Sequence, residues 1–211
     1  MVNVLCQIRK YSAKYNFRVE NAKGEDKDQI LRFLDQEQKV QLFGYTKNEW
    51  PRRQQIWSHA EIERFIVVRD PAGKIVACTL PWSPAPAKKI IVQRLPFVFK
   101  LVRSWKKILP FLNIPGPNQE LKTIYLTHLC VCSQLPIEKG RECLALLLNL
   151  IWKRFPRNSF HCITYADFSD HALAPKELFF LQQKIPMKFL SLSAKKDKTV
   201  KGNPAFEIAL V

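Results

Sequence analysis

The stretch Thr123-Ile-Tyr-Leu-Thr-His-Leu-Cys-Val-Cys-Ser133 decides the fold, read with Gln134-Leu-Pro-Ile-Glu-Lys-Gly140 and Arg141-Glu-Cys-Leu-Ala-Leu-Leu-Leu148 behind it. Residues 123–132 form an apolar run rich in β-branched side chains, which reads as a central strand buried on both faces. Ser133–Gly140 is a loop or a helix start. Leu144, Leu147, Leu148, Ile151, Trp152 and Phe155 then recur at helical spacing, and Leu146 and Leu150 widen the apolar face. Such a helix is deeply packed. A buried strand, a short turn and a buried helix make the nucleus of an α/β domain.

Working outward towards the N-terminus, Arg64–Arg69 and Lys74–Leu80 are β-branched runs separated by Asp70-Pro-Ala-Gly73, which is strong hairpin chemistry. Asn16–Glu20 reads as a short strand. Asp26 and Gln29 form a capping pair before Ile30, Leu31, Phe33 and Leu34, predicting a helix from Lys27 to Lys39. Val40–Ser58 reads as helix plus loop. Met1–Lys10 is mildly apolar and too short for a secretory segment.

On the C-terminal side, Phe160–Ala166 reads as a strand and Pro175–Gln183 as a short helix. Lys188–Ser193 and Ala205–Val211 read as closing strands around the basic loop Lys195–Lys201. The stretch from Pro71 to Gln119 holds no acidic residue and eight basic ones. Within it, Phe97, Val98, Leu101, Val102, Trp105, Ile108 and Leu109 recur at helical spacing. Lys100, Arg103, Lys106 and Lys107 take the opposite face. Pro96 suits the first turn and Pro110 ends the helix. Residues 88–120 thus form a basic amphipathic insert between the third and fourth strands.

Composition bounds the answer. The chain has 211 residues, enough for one domain (1–211) and tight for two. Apolar residues make up 47% and charged residues 25%, which argues against a disordered chain or a disulfide scaffold. The formal net charge is +16, and such a charge favours acidic partners. No apolar run is long enough to span a membrane. Six cysteines without CxxC spacing, and four scattered histidines, do not make a zinc site; buried reduced thiols in a cytoplasmic protein fit better.

The order of elements resembles the GCN5-related N-acetyltransferase family, from Asn16 to Val211. Leu129-Cys130-Val131 fills the place of the Leu-x-Val pattern that ends the family's fourth strand before its turn and long helix. The resemblance implies a mixed, mostly antiparallel central sheet flanked by helices. It also implies that backbone groups at Leu129, Cys130 and Val131 pair with the pantetheine arm of coenzyme A. The pyrophosphate would lie on the helix N-terminus near Lys139, Gly140 and Arg141, where free amides favour an anion. The family's phosphate loop is altered here: with Gly140 as its last glycine, Leu135 replaces an Arg or Gln and Glu138 replaces the first glycine. The Tyr that commonly protonates the departing thiolate is also missing, since Phe179 or Phe180 occupies its place.

Acyl transfer to an amine needs a base, an oxyanion site and a route for the thiolate. His128 is the most economical candidate base, with a hydrogen-bonded core histidine as the alternative. Tyr125 lies roughly where some members carry a strand carboxylate. Asp167 follows the fifth strand on the side where substrates bind in this fold, and His171 lies just beyond it. Strand alternation puts Leu126, His128 and Cys130 on one face and Tyr125, Thr127 and Leu129 on the other.

The expected function is acyl transfer from acetyl- or longer acyl-coenzyme A, or from an acyl carrier protein, to an amine, with no metal. A catalytically silent module of the same fold is the alternative. Residues 88–112 would suit an anionic membrane surface, making the protein peripheral; a wall or lid for a long acyl chain and a packed helix with a solvated basic face are the other readings. Nucleic-acid binding through Trp50, Arg52, Arg53, Trp57 and the Lys195–Lys201 loop ranks last, because no recognised motif accompanies them.

Overall fold

The computed structural model describes residues 1–7, 11–38, 47–56, 60–85, 88–95, 97–104, 113–156, 159–167, 173, 175 and 180–186. In chain order the elements begin with β1 (Val2–Gln7), β2 (Arg18–Asn21), α1 (Lys27–Gln38), α2 (Trp50–Ile56), β3 (Ile66–Arg69) and β4 (Ile75–Trp82). Then come β5 (Ile91–Val92), α3 (Phe97–Ser104), β6 (Gln119–Glu120), β7 (Thr123–Val131), α4 (Ile137–Arg154), β8 (Cys162–Tyr165) and β9 (Phe180–Lys184). Seven strands form one sheet in the order β2-β3-β4-β7-β8-β1-β9, and β5 pairs with β6 as a separate ribbon. Every pairing in the main sheet is antiparallel except that of β7 with β8. A mixed, mostly antiparallel sheet flanked by helices is therefore present.

The two faces of the sheet carry two apolar layers. On one, α4 buries Cys143, Leu144, Leu147, Leu148 and Ile151 against Val2, Val4, Ile66, Val68, Ile124 and Leu126. On the other, α1 buries Ile30, Leu31, Phe33 and Leu34 with Trp50, Phe65, Val67 and Leu80. The helical periodicity of both sequences is thus spent on the sheet.

The β3–β4 turn forms as its sequence dictates. Asp70 accepts at Oδ1 from the amides of Ala72 and Lys74 (3.0 and 2.9 Å), and Gly73 takes φ +82, which only glycine adopts without strain. Asp26 and Gln29 do not form the expected capping pair. Both accept hydrogen bonds from Arg69, Asp26 at 2.6 Å and Gln29 at 3.0 Å. Arg69 also donates to Glu20 at 2.7 Å and to the Gly73 carbonyl at 3.1 Å. One guanidinium therefore ties β2, α1 and the hairpin to β3.

Two elements differ from the sequence expectation. Val2–Gln7, to which the sequence assigned no element, is a strand. It alternates Val2, Val4 and Cys6 inward and lies between β8 and β9, antiparallel to both. The expected helix Pro175–Gln183 is corrected as well: Phe180–Lys184 is a strand, held by its pairing with β1, and tertiary pairing overrides the local pattern. The expected strands Lys188–Ser193 and Ala205–Val211, the Lys195–Lys201 loop, the second half of the insert helix (105–112), His171 and Phe179 lie outside the described residues.

Candidate functional site

The fourth strand of the expected scheme is β7, and its ladder with β4 is broken at one point. Cys78 faces Cys130 and Leu80 faces Thr127, so His128 and Leu129 together oppose Thr79. This is a β-bulge on β7. His128 takes φ +51, a left-handed conformation that is costly for a residue with a Cβ. Side chains replace the lost ladder bonds. Thr79 Oγ1 donates to the Thr127 carbonyl (3.0 Å), and Thr127 Oγ1 donates to the Leu80 carbonyl (2.7 Å). Cys78 Sγ reaches the His128 carbonyl at 3.8 Å.

The extra residue corrects the expected faces. His128 and Cys130 lie on the α1 side with Tyr125 and Thr127, while Leu126, Leu129 and Val131 face α4. His128 is 1% exposed, with its ring 5.9 Å from that of Trp50 and 5.7 Å from that of Phe65.

Its hydrogen bonds fix a tautomer. Thr127 Oγ1 spends its proton on Leu80, so at 3.3 Å from His128 Nδ1 it accepts. His128 Nε2 then lies 3.3 Å from Nη1 of Arg53, which can only donate. Burial, reinforced by the Arg53 charge, pushes the His128 pKa down to about 3. The imidazole is neutral and its lone pair faces a guanidinium. That geometry does not favour the base role expected from the sequence, because a proton arriving at Nε2 would meet a fixed positive charge.

On its other edge β7 loses its partner. It pairs with β8 only through Thr123, Ile124 and Tyr125, although the strand runs nine residues. The edge of Leu126–Val131 that faces away from β4 has no strand pairing among the described residues. Beyond Val131, Ser133 donates its amide to Glu37 (2.8 Å) and the turn leads to Pro136, which starts α4 without a side-chain cap. The amides of Lys139 and Gly140 are already bonded to the Pro136 carbonyl (2.9 and 3.0 Å), which leaves those of Ile137 and Glu138 for an anion at the open end of the strand gap. Glu138 is paired with Arg141 at 3.1 Å, and the Lys139 ammonium lies 5.3 Å from the Tyr15 ring centroid. Gly140 packs closely, since a Cβ there would meet Leu173 at 3.0 Å.

The remaining expected residues fall as follows. Tyr125 is buried against Trp82 (6.4 Å between centroids), and burial raises its pKa. Asp167 accepts the Leu173 amide at 2.9 Å and so shapes the chain after β8. Burial holds the Cys130 thiol protonated. Trp50 is 1% exposed, which removes it as a stacking surface for nucleic acid. Among the described residues no group of His, Cys, Asp and Glu could hold a metal.

Sequence reasoning missed Tyr165, and it named Arg53 and Trp50 for nucleic acid and not for the bulge they cover. Arg53 and Trp50 cover the bulge, and the Trp50 indole N–H is buried without a hydrogen-bond partner among the described residues. Tyr165 ends β8 just where β7 has departed, and its hydroxyl, 0% exposed at residue level, also lacks a partner. Burial, then the Asp167 charge, keeps that phenol protonated. Only a tyrosine closing a strand beside an acid signalled it.

No family model matches this chain, and no curated protein matches it by sequence. Among solved structures it is similar to an N-myristoyltransferase of Saccharomyces cerevisiae with bound myristoyl-CoA. That match has 15% identity and a TM-score of 0.44, over 76% of this chain and 31% of that one. It is also similar to a GCN5-related glucosamine N-acetyltransferase region of a fungal multi-domain GH3 β-N-acetylglucosaminidase. There the identity is 18% and the TM-score 0.40, over 74% of this chain and 14% of that one. The chain spans about a third or less of the length of each. At such values the likeness assigns no activity to this chain, and its fold class stands on its own strand order and register.

Proposed function

We propose that the chain, as one domain over 1–211, is a GCN5-like N-acyltransferase that moves an acyl group from acyl-coenzyme A, or an acylated carrier protein, to an amine. The observation that carries this reading is the gap between β7 and β8. A strand bulged at His128 presents unpaired backbone from Leu126 to Val131, and an uncapped helix N-terminus follows directly. Extended backbone can pair with the amide-bearing pantetheine arm. The amides at the start of α4 suit a pyrophosphate, and Arg141 offsets Glu138 beside them.

In this scheme the amine lone pair attacks the thioester carbonyl. A β7 backbone N–H near Cys130 or Val131 steadies the oxyanion. The C–S bond then breaks, the departing sulfur takes the proton of Tyr165, and the proton lost by the amine nitrogen returns to the phenolate. Tyr165 is the assigned proton donor because it ends β8 beside the gap and its hydroxyl has no hydrogen-bond partner among the described residues. His128 is assigned a positioning role: it holds Arg53 against the bulge on the α1 side. Arg53, whose side chain keeps some exposure, would bind an oxygen of the acceptor.

The test offers acyl-coenzyme A of increasing chain length together with amino acids, amino sugars or peptide N-termini. Free thiol and amide mass are followed together. Thiol release that needs both substrates supports transfer. Binding without thiol release would make the chain a silent module of this fold.

A further inference from the structure

We propose that the excursion between β4 and β7 docks the protein on an anionic lipid surface. It leaves the sheet after Trp82 and returns at Lys122, and the β5–β6 ribbon closes its base, with Ile91 opposite Glu120 and Val92 opposite Gln119. The return leg is tied to the body by Asn113 donating to the Phe160 carbonyl at 3.0 Å. Between these anchors α3 stands as a platform. The Arg103 guanidinium, at the C-terminal end of α3, reaches towards Gly116 on the return leg.

The platform exposes an unusual combination. Phe97 is 72% exposed and Ile91 is 50% exposed, the two largest values among the exposed large hydrophobics. The sequence expectation placed Phe97 on the apolar face opposite Lys100. Instead Phe97, Lys100 and Arg103 are all exposed at spacings of three, which groups them along one side of the helix. Lys88, Lys89 and Arg94 are exposed on the adjoining leg. Among the described residues, no carboxylate makes a salt bridge to Lys89, Arg94, Lys100 or Arg103. Glu120, half-buried in the ribbon, is the one acid of the excursion's base.

Cations on the same side of α3 as an exposed aromatic fit a surface that offers both negative headgroups and apolar depth. A nucleic-acid backbone would use the cations and leave Ile91 in water. The base of the excursion meets β7 at Thr123, whereas the proposed pyrophosphate site lies beyond Val131, roughly 25 Å along the strand. The inference therefore does not rest on the acyltransferase reading and stands or falls apart from it.

The experiment sediments the full chain with phosphatidylcholine vesicles that contain or lack phosphatidylserine, at low and high salt. The expected result is binding only with phosphatidylserine, weakened by salt. Partitioning should fall about tenfold or more both in Phe97→Ser and in the triple variant Lys89→Glu, Arg94→Glu, Lys100→Glu. Unchanged melting temperatures and circular-dichroism spectra would show that these variants fold. Failure to bind phosphatidylserine vesicles overturns the proposal. So does binding that both folded variants retain. Salt-sensitive binding of duplex DNA at equal or higher affinity, indifferent to Phe97→Ser, overturns it in favour of a nucleic-acid surface.

Discussion

Arg53 Nη1 lies 3.3 Å from His128 Nε2, so the one histidine at the bulge of β7 presents its lone pair to a guanidinium instead of to an open cleft. This has a consequence for stability. The folded pKa is lowered to about 3, whereas an unfolded histidine titrates near 6.5. Between those values the unfolded chain binds a proton that the folded chain refuses, so stability is full above about 6.5 and declines as pH falls. The contribution is at most about 1.4 kcal/mol per pH unit. His161, also shifted down by burial and by Lys122, adds to the same slope. Urea unfolding across this range should show the slope reduced in His128→Asn, a residue that tolerates the left-handed backbone. An identical slope in the variant would contradict the buried neutral assignment.

Trp50 supplies a second prediction. Its indole N–H is unsatisfied, so Trp50→Phe removes an unpaired buried donor and should change stability by less than about 1 kcal/mol. Trp50→Ala opens a cavity and should cost about 3–5 kcal/mol. Thermal unfolding of the two variants measures the difference.

Tyr165→Phe should likewise fold normally, since the hydroxyl has no partner to lose. As the proposed proton donor, it should carry a fall in kcat of roughly 10²-fold or more with little change in the donor KM. Unchanged turnover would assign the proton to water.

Arg69 is where electrostatics contributes most to the frame. Arg69 hydrogen bonding leads in lowering the Glu20 pKa. Burial opposes ionisation of Asp26, but the Lys23 amide and Arg69 outweigh it. Arg69→Ala strands both carboxylates and should cost about 2–3 kcal/mol after discounting for partial exposure. Arg69→Lys should not restore the loss, because an ammonium cannot make the four directed contacts of the fork. Both folded carboxylate pKa values lie below their unfolded ones, so this contribution holds above about pH 4.5 and is lost as pH falls through the folded values. Chemical denaturation at neutral and acid pH measures it.

At the α4 N-terminus, the Glu138 charge opposes an anion. Glu138→Gln should tighten coenzyme A binding and Arg141→Gln should weaken it. Each effect should be a few-fold, as expected of about 0.3–1 kcal/mol at an exposed helix end. Opposite or absent effects would place the pyrophosphate elsewhere.

The frame was legible where local chemistry and tertiary demand agree. Asp70–Gly73 specified its turn, and the Leu144–Phe155 pattern specified the buried helix from hydrophobic spacing alone. Val2, Val4 and Cys6 also alternate, but a six-residue strand between two distant partners has no local signal beyond that alternation. Phe180–Lys184 is a strand because β1 pairs with it, which its own sequence does not encode. The site was half legible. His128 was visible as a residue type, yet the bulge that turns it towards Arg53 depends on Thr79 and Thr127 repairing a broken ladder. Spacing within β7 cannot report that.

The central claim is that the gap between β7 and β8 receives an acyl-coenzyme A. Calorimetric titration of the full chain with acetyl-, octanoyl- and palmitoyl-coenzyme A tests it most directly. The account predicts saturable single-site binding that free coenzyme A displaces. Absence of binding by all of these donors would contradict it.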